Sequence, residues 1–287
     1  MVDRLLFPTD GSDAAQDGVA YALAVAADAN AELVVLHVAD TSEISHTRID
    51  GEVVDAFVRE GESIVEETVG NTDTHDVDVT TDVVQGVPDE TIVQYAEEYD
   101  IDAIVMPTRG RQGVEHLVGS VTERVLRRAP MPVLALPPGV DAEAHYPYED
   151  ILVAVDGSDP SDAAVVAAAD AARRHGASLH LVHVVEESLL GGRFPGSTED
   201  VETEAESILD AATEGIESTF SGSVTTSVQQ ASSVEKGLLD YAEANGIDLV
   251  VSGSSGGSGL GQYLIGSTTE KLIRNAPVPV MAVPEES

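Results

Sequence analysis

The stretch "IDLVVSGSSGGSGLGQYLIGSTTEKLIRNAPVPVMAVP", Ile247 to Pro284, decides the reading. It opens on the apolar run "IDLVVSG" and closes on another, "PVPVMAVP", each short enough for a buried strand. Between them "STTEKLIRNA" has the spacing of a short helix. The Gly/Ser-rich segment from Gly253 to Thr268 therefore lies inside a folding unit, between a strand and a helix. Strand, loop, helix, strand is the repeat of a parallel α/β sheet.

Upstream the same alternation continues. "DILVAVD" is an apolar run, followed by the Ala-rich helical segment "SDPSDAAVVAAADAARRHG". Ser158, Asp159 and Pro160 suit its cap and first turn, and Gly176 suits its stop. "ASLHLVHVV" predicts a second strand, "TEDVETEAESILDAATEGIESTF" an acidic amphipathic helix, and "SVTTSVQQ" a half-buried or edge strand. "SVEKGLLDYAEANG" supplies a third helix before the stretch first quoted.

The first half repeats the second. "RLLFPTDGSDAAQ" (4–16) returns at 150–162 with Asp10 on Asp156, an offset of 146. "AELVVLHVAD" returns as "ASLHLVHVVE", with His37 on His183, at the same offset. "GSVTERVLRRAPMPVLALP" matches "GSTTEKLIRNAPVPVMAVP" at 147. The chain is a tandem duplication: a first domain over 1–137, a linker over 138–149 and a second domain over 150–287. Helix two of the first copy is expected at 48–70. Alternating elements predict a doubly wound five-stranded parallel sheet in each copy, with right-handed crossovers. In such sheets ligands bind at the carboxyl ends of the strands, where strand order reverses. The "DGS" turn after strand one and the glycine loop after strand four both lie there. Gly253, Gly256 and Gly266 are spaced G-x2-G-x9-G, and Ser267 and Thr268 open the next helix. Its free N–H groups make an anion site, so the loop predicts a phosphate cradle.

Composition narrows the class. Of 287 residues, 52 are acidic against 14 Lys plus Arg, a formal charge of −38, and only Lys236 and Lys271 are lysines. A polyanion of this size repels nucleic acid and anionic membranes. The acids are spread along both halves as solvated faces, as in cytoplasmic proteins of salt-accumulating halophiles. No run is long enough to span a membrane. No cysteine is present and no signal-peptide pattern is visible, so a cytoplasmic protein is expected.

The "DGS" turn, "LVHVVE" and G-x2-G-x9-G-[ST] before "TEKLIRNAPVPVMAVP" resemble the universal stress protein family, over the whole chain as two tandem domains. The resemblance implies strand order 3-2-1-4-5. It implies edge-to-edge pairing through the fifth strand, hence an internal pseudo-dimer of the two copies, with a homodimer of chains as a further possibility. It also implies binding of ATP or AMP. Carried over, Ala154 and Asp156 border the adenosine, and the Val184 backbone reads the adenine edge. Gly253 and Gly256 lie against ribose and phosphates. Gly266, Ser267, Thr268 and Thr269 serve the phosphate tail. Mg2+ or Mn2+ is held chiefly through the phosphates. In the first copy Pro8, Asp10, Val38, Gly110, Gly119 and Ser120 occupy the matching positions, but Pro107 replaces the first glycine and the loop is one residue shorter.

Other chemistry is thin. There is no G-x4-GK[ST], so a Walker-type NTPase is excluded. The histidines show no metal-ligand spacing, and Ser12 and Ser158 read as helix caps without a paired base. A nucleotide-binding stress or regulatory protein is expected rather than an enzyme. The alternatives are a slow ATP hydrolase or self-phosphorylating enzyme using the same pocket, and a non-binding assembly module.

Overall fold

A computed structural model describes residues 2–40, 52–70, 72, 77–110, 118–137, 140–187, 198–254 and 265–285. The chain divides into two compact units, 1–143 and 144–287. In unit 1 the order is β1 (Arg4–Pro8), α1 (Asp13–Ala29), β2 (Glu32–Asp40), α2 (Glu52–Gly70), β3 (Val79–Gly86), α3 (Pro88–Glu98), β4 (Ala103–Pro107), α4 (Ser120–Arg128) and β5 (Val133–Leu136). Unit 2 repeats it as β6 (Asp150–Ala154), α5 (Asp159–His175), β7 (Ser178–Glu186), α6 (Thr198–Ile216), β8 (Val224–Ala231), α7 (Val234–Asn245), β9 (Leu249–Gly253), α8 (Ser267–Asn275) and β10 (Val280–Val283).

Within unit 1 the strands are parallel in the order β3-β2-β1-β4-β5, and within unit 2 in the order β8-β7-β6-β9-β10. This is the doubly wound 3-2-1-4-5 sheet. Central strands carry unbroken apolar runs because helices cover both faces. Leu5, Leu6 and Phe7 of β1 and Ile151, Leu152 and Val153 of β6 are fully or almost fully buried. The edge strands β3 and β8 instead expose Thr80, Thr81, Thr225 and Thr226. Strand order reverses between β1 and β4, and between β6 and β9. There α1 packs with α2, α3 with α4, α5 with α6 and α7 with α8.

The capping signals act as their chemistry requires. The Ser12, Ser158 and Ser233 side chains accept from Ala15, Ser161 and Lys236 N–H at the starts of α1, α5 and α7. Gly176 and Gly246 end α5 and α7 in the left-handed region, at φ 68° and 64°. The duplication extends to single hydrogen bonds. Asp102 Oδ2 accepts the N–H groups of Asp3 and Arg4 at the start of β1, at 2.7 and 2.9 Å. Asp248 Oδ2 accepts those of Glu149 and Asp150 at the start of β6, at 2.8 and 3.1 Å.

The structure differs from the sequence reading at two boundaries. Helix α6 stops at Ile216, whose carbonyl takes the N–H groups of Thr219 and Phe220 in a closing turn. The stretch 138–149, polar enough to read as a linker, is packed in its later part. Tyr148 is buried, and the rings of Tyr146, Tyr148 and His175 meet edge to face at 5.0–5.2 Å. Two aromatic side chains in so polar a segment are what tie it down.

Candidate functional site

A cleft of about 180 Å³ opens at the carboxyl edge of the unit 2 sheet, where strand order reverses. From the end of β6 come Ala154, Val155 and Asp156, and from the start of α5 come Ser158 and Ser161. β7 contributes Val182, His183 and Val184, and α7 contributes Val234 and Leu238. The last side is Ser252 and Gly253 of β9 with Gly266, Ser267, Thr268 and Thr269 at the start of α8. Thus Ala154, Asp156, Val184, Gly253, Gly266, Ser267, Thr268 and Thr269, spread over more than a hundred positions, share one cavity. Gly256 lies outside the described residues.

The "DGS" turn is fixed by local bonds. Gly157 sits at φ 77°, a conformation that costs glycine nothing and other residues something. Asp156 Oδ1 accepts from Ser158 N–H at 3.0 Å and from the Ser158 hydroxyl at 2.6 Å. Ser158 therefore has a carboxylate partner that the sequence reading did not supply, and the pair locks the turn that starts α5. Gly11 in unit 1 has φ 70°, and Asp10 Oδ1 likewise accepts from Ser12 N–H at 3.0 Å.

On β7 the pleat divides the residues. The Val184 side chain turns toward α7, where a Cβ at Gly237 would come within 2.7 Å of it. Its neighbour His183 points to the other face by alternation, and its ring Nδ1 donates to the Val155 carbonyl at 2.8 Å. His37 makes the same bond to the Thr9 carbonyl at 2.9 Å. A carbonyl only accepts, so each ring holds a proton on Nδ1 and braces the end of the first strand of its unit.

Both glycine loops are closed at the base. Gly266 N–H donates to the Ser254 carbonyl at 2.6 Å, and Gly119 N–H to the Thr108 carbonyl at 2.7 Å. Helix α8 begins at Gly266 with no side-chain cap, and its first internal bond is Glu270 N–H to the Gly266 carbonyl. The N–H groups of Ser267, Thr268 and Thr269 thus precede the helical ladder and are open to a ligand. Ser267 is exposed and Thr268 half-buried. Thr269 behaves otherwise: it is buried, and its hydroxyl donates to the Gly253 carbonyl at 2.6 Å beside Ser252 Oγ at 3.0 Å. That hydroxyl holds the loop, as Thr122 does in unit 1 by donating to the Pro107 carbonyl at 3.1 Å.

Gly253 also differs from its expected role. A Cβ there would strike the Pro160 backbone at 2.8 Å, so its bareness serves the crossing of β9 under α5. In unit 1, Pro8 ends β1 buried, Val38 lies half-buried on β2, and Gly119 and Ser120 open α4. Gly110 rests on Asp10, whose Oδ2 would be only 2.3 Å from a Cβ at that glycine. Sequence reading missed Ser161, Val234, Leu238 and Ser252; each is a common core or cap residue, and only burial around the cavity marks it out.

Among the described residues, no group of three or more His, Asp or Glu is placed to hold a metal, and no helix is long and apolar enough to cross a membrane. The polar groups of the cleft are one carboxylate, the His183 imidazole, several hydroxyls and the backbone N–H groups opening α8. Such a set fits a nucleotide that brings its own metal on its phosphates.

Known proteins resemble this chain in sequence and fold. The chain is 33% identical over 137 residues to universal stress protein MJ0531 of Methanocaldococcus jannaschii, covering 46% of this chain and 81% of that one. It is 28% identical over 205 residues to universal stress protein Rv2005c of Mycobacterium tuberculosis, 71% of this chain and 68% of the other. A crystal structure of a universal stress protein from Archaeoglobus fulgidus shares the fold with a TM-score of 0.74 at 24% identity, over 98% of both chains. The profile of the Universal stress protein family matches residues 1–137 and again 147–284. The chain therefore belongs to the universal stress protein family, as a tandem pair of its domains.

Proposed function

We propose that unit 2 binds an adenine nucleotide, ATP or AMP, in the cleft at its carboxyl edge, and that occupancy serves a stress-response or regulatory role. The observation that carries this reading is the convergence of Asp156, the strand backbone at Val184 and the uncapped start of α8 on one cavity. Asp156 receives the ribose hydroxyls, the Val184 backbone the base edge, and the N–H groups of Ser267 to Thr269 the phosphates. Mg2+ or Mn2+ rides on the phosphates. The reading is of a binding protein: the one carboxylate in the cleft already holds Ser158, which suits a fixed turn better than a base activating water. Unit 2 is the tighter of the two sites, because in unit 1 Gly110 is seated on Asp10 and the glycine loop is one residue shorter.

Mass spectrometry of small molecules released from protein purified in concentrated salt should find an adenine nucleotide. Calorimetry should then show ATP or AMP binding weakened by tenfold or more in Gly266→Asp, since a carboxylate at the start of α8 repels the phosphates. Gly119→Asp in unit 1 should leave the tighter site unchanged. Equal affinity in wild type and Gly266→Asp, with both folded, would remove the reading. Saturable ATP hydrolysis abolished by Gly266→Asp would turn it into that of an enzyme.

A further inference from the structure

The charge around this cleft is unusual for a polyphosphate site. Among the described residues lining it there is no lysine or arginine, and the one carboxylate is Asp156. From Leu249 to Thr269 the sequence contains no charged residue at all, in a chain that is 23% charged. The corresponding loop of unit 1 carries Arg109 and Arg111. The cations on α7 and α8 are paired with acids: Lys271 with Glu235 at 3.8 Å, Arg274 with Glu270 at 2.9 Å, and Lys236 with Asp240. The elements that meet at the cleft carry further acids, Asp159 and Asp162 in the first turn of α5 and Glu186 at the end of β7. The net charge behind them is −38.

Sites that hold phosphate with Lys and Arg lose affinity as salt rises, because salt screens the attraction and competes for the cations. Here the long-range term has the opposite sign. Attraction comes from hydrogen bonds and peptide dipoles at contact distance, which salt scarcely reaches, while the surrounding carboxylates repel the ligand over a Debye length.

We propose that the unit 2 cleft, whose described lining residues include no lysine or arginine, takes up its anionic ligand more tightly as ionic strength rises, so that salt itself regulates occupancy. The inference rests on the nucleotide reading above and adds the sign of its salt response. That response scales with ligand charge: nearly absent for adenosine, moderate for AMP and largest for ATP.

The test is calorimetry on the full chain with adenosine, AMP and ATP, without divalent ions, from about 0.1 M to about 2 M KCl. Adenosine carries no charge, so any effect of salt on folding moves all three ligands and cancels in the ratio. The expected result is an ATP affinity that rises at least about threefold relative to adenosine across this range, with AMP between them. A ratio that falls or stays flat overturns the proposal and leaves the nucleotide reading standing. Arg193, the nearest cation in sequence after β7, lies outside the described residues. If the rise is present only in Arg193→Gln, that side chain governs the wild-type cleft and the proposal is overturned. If none of the three ligands binds at any salt, both the proposal and the nucleotide reading fail.

Discussion

Gly253 and Pro160 meet so closely that a Cβ at Gly253 would lie 2.8 Å from the Pro160 carbonyl carbon and oxygen. Unit 1 carries the reverse pair at the matching positions, Pro107 on the strand and Ala14 on the helix. One pyrrolidine ring is thus present at each crossing, on opposite partners. Gly253→Pro alone should overpack the crossing and destabilise unit 2 by about 1–3 kcal/mol. Adding Pro160→Ala, which recreates the unit 1 pair, should recover at least about 0.5 kcal/mol of that loss. Denaturant unfolding of the two single variants and the double variant measures the coupling; strict additivity would show that the two positions do not constrain each other.

Asp89 is 1% exposed and receives Arg124 Nη1 at 2.7 Å and Arg128 Nη1 at 2.6 Å, stapling α3 to α4. Asp89→Ala removes the buried end of two ion pairs whose guanidinium ends are 47% and 37% exposed, and should cost about 1–2 kcal/mol. The unit 2 counterpart, Glu235 with Lys271 at 3.8 Å and Asn275 Nδ2 at 2.6 Å, is wetter, and Glu235→Ala should cost under about 1 kcal/mol. Similar losses from the two variants, in thermal or denaturant unfolding, would contradict the ranking by burial.

Alkaline pH should loosen both units through named phenols. Burial, reinforced by the Asp82 carboxylate that accepts its hydroxyl at 3.1 Å, pushes the Tyr95 phenol well above its usual range. Burial and then Asp150 push Tyr241 up as well. An unfolded phenol ionises near about pH 10. Stability from these raised groups is complete below that pH and is lost as pH climbs through the folded values. Ultraviolet titration should show Tyr95 and Tyr241 ionising late, together with unfolding. Tyr95→Phe should flatten part of the alkaline decline.

Acid acts through Glu32 in the opposite sense. The Thr80 hydroxyl at 2.7 Å lowers its pKa most, the Arg4 bond at 2.9 Å adds to this, and burial opposes both. The resulting stability is present above the unfolded carboxyl value of about 4.3 and is lost as pH falls through the lower folded value. Thr80→Val should shrink that acid-side loss, seen as a shallower fall in unfolding midpoint below about pH 4.5. An unchanged acid limb would mean that the Thr80 bond does not favour the ionised form.

Folding itself should depend on salt. With −38 formal charge, self-repulsion acts over about 10 Å at 0.1 M salt and only about 3 Å at 1 M. Unfolding midpoints should rise steeply with KCl at first and then level off. A flat profile would indicate acids neutralised within the fold.

What the sequence determined by itself was the periodic part. Duplication at an offset of 146, apolar runs alternating with helical spacing, and Ser and Gly at helix ends specify ten strands, their parallel direction and the caps at Ser12, Ser158 and Gly176, because these patterns are written in contiguous segments of the chain. The candidate cleft was half legible for the same reason: "DGS" and the glycine spacing are local patterns that lie at strand ends. Tertiary structure decided the rest, because the direction of a side chain depends on what packs across from it. Gly253 read as room for a ligand, yet Pro160 fills that side. Thr269 read as a phosphate donor, yet its hydroxyl is turned to the Gly253 carbonyl. Val234 and Leu238 read only as part of a helical segment, yet they wall the cavity. Tyr148 sits in a polar segment that read as a linker, yet it is buried against His175. Each contact joins residues distant in sequence, and a distance of that kind exists only once the chain has folded.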